Sequence, residues 1–156
     1  MISLLLLLGA ALGDITEIAA QRTPGKPLPF FEPDRPAEEV LAKKDGDKYL
    51  LSVRINVRRP SVEKFSEETA ELTRKEWDSL VDIVSREKLL DWKPDPKDGL
   101  VFDWGTAGFR VKADKDNAPT WTTPLKNGDG PELLSKRLAS LARQKISGLK
   151  LIYMSP

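Results

Sequence analysis

Four aspartates, Asp91, Asp95, Asp98 and Asp103, crowd one short stretch of the chain. Carboxylates at that density could hold a calcium ion, or supply the acid and base of a carboxylate-dependent hydrolase. The bland reading is a solvated loop, since Pro94-Asp95-Pro96 forces a turn and aspartate is a common turn former. Asp114-Lys115-Asp116 also opens like a calcium loop, but no glycine stands at its sixth position and no glutamate at its twelfth. Ser-x-x-Lys occurs at Ser61 to Lys64 and at Ser147 to Lys150. That spacing activates a serine when both residues share a helical turn. Here one copy falls in a hairpin turn and the other straddles a helix end.

The chain contains no histidine and no cysteine. Their absence removes the usual ligands for zinc, iron and copper, the thiol nucleophiles and the imidazole bases. No catalytic residue, metal ligand or cofactor is therefore assigned. Lys plus Arg total 25 against 24 Asp plus Glu, a formal net charge of +1. Such a balance gives no general pull toward nucleic acid or an anionic membrane. Lys48, Arg54, Arg58 and Arg59 put cations on one strand, where they also guard a sheet against edge pairing.

Aromatic residues offer the other chemistry. Trp92, Trp104 and Trp121, with Phe102 and Phe109, could form a platform for a peptide or a sugar. Threonines flank Trp121 on both sides, the signature of a strand with one polar face. Trp121, Phe109 and Trp104 are the expected binding residues.

Several elements must position these groups. Residues 1–13 are uncharged and carry an apolar run of about a dozen residues, short of the roughly 20 that a helix needs to cross a bilayer. Ala11 and Gly13 stand three and one before Asp14, as a signal peptidase requires. The expectation is a signal peptide over 1–13, a secreted or periplasmic product and no stable membrane span after processing. Five prolines between Pro24 and Pro36 suggest a proline-rich tether over 14–47. An α+β domain should then occupy 48–156.

Inside that domain, Tyr49, Leu51, Val53, Ile55 and Val57 alternate with polar residues as a half-buried strand, and Val62 to Leu72 can return beside it. Thr73-Arg74-Lys75-Glu76 is a capping box, and Leu72 with Trp77 fits the accompanying hydrophobic staple. Trp77, Leu80, Val81 and Val84 follow at helical spacing, toward an end near Lys88. Leu100 to Trp104 and Phe109 to Ala113 are strand material, and Pro119 to Thr123 can pair back as a hairpin. Gly130-Pro131 opens a second helix striped by Leu134, Leu138 and Leu141 and closed by Gly148. Leu149, Leu151 and Tyr153 could add a short last strand. The predicted fold class is α+β, a two-layer arrangement of an antiparallel sheet of about four strands with two helices on one face.

The run from Leu72 to Val81, followed by Leu89-Leu90-Asp91-Trp92, resembles small exported bacterial domains with hairpin, helix, hairpin, helix order. A similar order occurs in the emfourin-type protein inhibitors of thermolysin-like proteases. The resemblance covers about Lys48 to Gln144 and implies a protein partner, without transferring any site residue. The functional expectation is a non-catalytic, extracytoplasmic protein-binding or inhibitory module. The alternative is a hydrolase using the acids between Asp91 and Asp103.

Overall fold

The computed structural model describes residues 14–23, 37–59, 62–92, 106–113, 121–124, 130–151 and 154. Among them, six strands and two helices follow one another as β1 (Ile15–Thr23), β2 (Glu38–Asp45), β3 (Lys48–Arg59), β4 (Val62–Leu72), α1 (Arg74–Arg86), β5 (Thr106–Ala113), β6 (Trp121–Pro124) and α2 (Gly130–Lys145). A 3-10 turn, Leu89–Asp91, follows α1. The strands form one sheet in the order β4-β3-β2-β1-β5-β6, and every neighbouring pair is antiparallel. The fold is α+β as the sequence indicates, with six strands in place of about four.

The extra strands overturn the expected tether. Residues 14–47 supply β1 and β2, and β1 lies inside the sheet between β2 and β5. Ile18, Ala20, Val40 and Ala42 from this segment are buried in the core. All five prolines lie between β1 and β2, outside the described residues, and neither strand contains one. A bulge between Ile15 and Glu17 resets the alternation, so that Ile15 joins Ile18 in the core.

The β3 reading holds in detail. Leu51 and Val53 are fully buried, while Tyr49 and Ile55 pack partly buried against the same core. Asp45 pairs with Lys48, so the β2–β3 loop is Gly46-Asp47, and Gly46 takes φ +59°. That backbone conformation comes cheaply only to glycine. The last apolar residues are placed differently from expectation. Leu149 and Leu151 pack on the core outside any strand, and Tyr153 lies outside the described residues.

The capping box on α1 forms as its spacing demands. Glu76 N–H donates to Thr73 Oγ1 at 3.2 Å, and Thr73 N–H donates to Glu76 Oε2 at 2.7 Å. Leu72 and Trp77 on either side of the cap are both buried in the core, and Tyr49 stacks on Trp77 with ring centroids 5.3 Å apart. The helix ends at Arg86, two residues before the expected Lys88, which adopts a left-handed φ of 51°. From α2, Leu134, Leu138, Leu141 and Ala142 complete the same core. Both helices therefore cover one face of the sheet, and the two layers share a single apolar interior.

Because β1 and β2 are interior strands, a chain lacking residues 14–44 should lose cooperative unfolding. Retention of a sharp transition close to the full-length midpoint, measured by circular dichroism, would show that the remainder folds by itself.

Candidate interaction face and sheet edge

The face of the sheet turned away from the helices carries an alternating charge network. Arg54 lies between two carboxylates, with Nε 3.4 Å from Glu67 Oε1 and Nη1 3.9 Å from Glu39 Oε1. Arg110 joins the same network from the other side, Nη1 3.8 Å from Glu39 Oε2 and Nε 3.9 Å from Glu17 Oε2. The line Glu17, Arg110, Glu39, Arg54, Glu67 thus crosses five strands. Register makes this possible, since Glu39 stands opposite Arg54 and Arg54 opposite Glu67. Glu39 at the centre is 9% exposed, and the Arg54 side chain toward the β4 end is half exposed. Pairs this long and this exposed contribute little to stability, typically below about 1 kcal/mol each. They fix strand register and the charge pattern of the surface.

Gly108 in β5 lies under the Gln21 side chain. A Cβ at this position would come within 2.6 Å of Gln21 Cγ and Nε2. The residue must stay a glycine unless Gln21 moves.

β4 forms one end of the sheet. Its eleven residues pair with β3, and among the described residues no strand pairs with its other edge. Glu67, Glu68, Thr69 and Glu71 along it are exposed. Glu68 stands opposite the buried Val53, on the helix-covered face, whereas Glu67 and Glu71 lie on the other face. The edge therefore shows carboxylates on both faces.

A separate open groove of about 450 Å³ lies at the β2–β3 turn, lined by Lys44, Lys48, Tyr49, Glu71 and Arg74 among others. It borders the N-terminus of α1, but the capping box already engages that helix end. Lys44 is also bound to Asp14 at 3.1 Å. The groove is consequently a poor anion site.

Of the three residues expected to bind, the structure places Phe109 and Trp121 as cross-strand neighbours on β5 and β6. Phe109 is 3% exposed and belongs to the core, so its ring is packing area and not contact area. Trp121 stands opposite Phe109 in the β5–β6 register, which is all the structure describes of it. Trp104 lies outside the described residues, as do Phe102, Asp95, Asp98 and Asp103. Asp91 is exposed in the 3-10 turn, and Trp92 packs partly buried on the core. Ser147 sits in the turn after α2, with Lys150 beyond it, so no helix brings the two together. Among the described residues, no group of three His, Cys, Asp or Glu could hold a metal ion. Arg54, read from sequence as part of a basic face, is flanked by Glu39 and Glu67 instead. Sequence reasoning missed Glu17 and Glu39, because both lie in the segment taken for a tether.

Comparison of the chain with protein-family models, with curated proteins and with solved structures found no match.

Among the described residues, Glu76 is the carboxyl whose surroundings shift it. Partial desolvation pushes its pKa up. Hydrogen bonds from Lys145 and from the Thr73 amide and hydroxyl, with the Lys145 charge, outweigh that effect and hold it below the usual glutamate range. Lys145 Nζ lies 2.9 Å from Glu76 Oε2, tying the first turn of α1 to the last turn of α2. Each charge also stands at the helix end whose dipole favours it. The depressed pKa means that the ionised carboxylate stabilises the fold above its unfolded value and that this is lost as pH falls through the folded value. Glu76→Gln should therefore lower the unfolding midpoint at pH 7. The deficit should shrink as pH falls below about 4.3, the ordinary glutamate value. A deficit independent of pH would show that the charge is not involved.

Proposed function

We propose that the chain is a non-catalytic protein-binding module acting outside the cytoplasm, with its contact surface along the acidic edge of β4. The observation that carries this reading is an eleven-residue strand with one edge unpaired among the described residues. A free edge offers backbone N–H and C=O groups to an incoming strand, the common mode of β-addition. Charge then selects the strand. Glu67, Glu68 and Glu71 repel a second copy of β4 and favour an extended segment rich in lysine or arginine.

Arg54 strengthens the selection from below the edge. By holding Glu67 at 3.4 Å it keeps one acid in place beside the strand. Export is supported by the uncharged leader of residues 1–13 with its small residues before Asp14. Among the described residues, no helix is long and apolar enough to cross a membrane. An inhibitory role follows the resemblance to emfourin-type domains, in which case the partner is itself an exported protease. The balanced charge of the network, with Arg54 held between acids, argues against a nucleic-acid partner.

A photo-crosslinker at Glu68 should capture an exported protein through a basic, extended segment. The combined substitution Glu67→Lys, Glu68→Lys and Glu71→Lys should abolish that capture and leave the fold intact. Capture that survives the reversal would contradict the edge reading, and so would turnover of an ester or glycan by the purified protein.

A further inference from the structure

A second site lies around Met154, and it does not rest on the reading of β4. Met154 is fully buried, and charged side chains hold both of its backbone groups. Its N–H donates to Glu38 Oε2 at 2.8 Å, and its C=O accepts from Arg143 Nη2 at 2.6 Å. The same Nη2 also donates to the Leu151 C=O at 3.4 Å. Glu38 is 1% exposed and stands opposite Arg22, which is 6% exposed, in the β1–β2 register. β2 and α2 thus supply a pocket that reads Met154 through its amide, its carbonyl and its apolar side chain.

One donor in this pocket is left over. Among the described residues, Arg143 Nη1 is buried and has no hydrogen-bond partner, although it stands beside Nη2 in the same planar fork. An internal peptide carbonyl gives that fork a single oxygen. A terminal carboxylate would give it two, in the bidentate geometry that guanidinium groups favour. We propose that this pocket is a recognition site for the C-terminus of a peptide ending in a methionine-sized apolar residue, and that the chain's own segment through Met154 occupies it as an internal competitor. Glu38 receives the last amide, the apolar side chain fills the buried position of Met154, and Arg143 clamps the carboxylate.

The full-length Met154→Gly variant weakens the internal competitor and leaves Glu38 and Arg143 in place. Against it, three synthetic peptides are compared by fluorescence anisotropy: residues 148–154 as the free acid, the same peptide amidated, and residues 148–156. The free acid should bind at least tenfold more tightly than either of the others, and Arg143→Lys in the same background should erase the difference. Equal affinities, or no binding by the folded variant, would overturn the proposal. Should Met154→Gly fail to unfold cooperatively, hydrogen exchange in the wild-type chain decides. Exchange of the Met154 amide through a local opening supports a displaceable segment, whereas exchange only through global unfolding marks it as permanent core and overturns the site. A wild-type dimer that forms by exchanging this segment would assign the pocket to a second copy instead, and would likewise overturn it.

Discussion

The pairing of β1 on both its edges is the constraint on which the rest of this structure depends. β1 is hydrogen-bonded to β2 on one side and to β5 on the other, so it joins the β2–β3–β4 meander to the β5–β6 hairpin. Without it the sheet is two separate pieces. Neither piece would present a continuous floor to α1 and α2, whose buried residues share one core with Ile18 and Ala20. The charge network has the same dependence, because Glu17 and Glu39 reach Arg110 only when β1, β2 and β5 are in register.

Much of the C-terminal two thirds was legible in the sequence. The period-two alternation in β3 and the capping box before α1 are strong local signals, and each corresponds to an observed element at nearly the expected residues. The N-terminal segment was misread for a physical reason. Its prolines are concentrated between residues 24 and 36, and they dominate the composition of a stretch whose two ends contain none. The ends themselves give a faint strand signal. Their buried positions include Ala20 and Ala42, small residues with little β-propensity of their own. Tertiary pairing, and not local preference, makes these residues strands. The Gly46-Asp47 loop was the available clue, since a two-residue loop before a clear strand implies a partner strand on its other side.

The polar chemistry divides by layer. On the helix-covered side, Glu38 and Arg143 meet at Met154, and Arg22 stands opposite Glu38 in register. On the opposite face the charges are spread in a line and grade from a buried centre to an exposed β4. Neither arrangement was visible from sequence, because each joins residues from β1 or β2 to residues far along the chain. Of the aromatic residues that looked like contact area, Phe109 behaves differently. It is spent on the core, as is Trp77, whose place in the hydrophobic staple already put it there.

Native-state hydrogen exchange on β1 tests the central claim most directly. If β1 is the strand that unites the sheet, the Ile18 and Ala20 amides should exchange only through global unfolding, with protection equal to that of Leu51 and Val53 in β3. Exchange of β1 through a lower-energy opening, with β3 still fully protected, would show that the strand is an addition to a fold that stands without it.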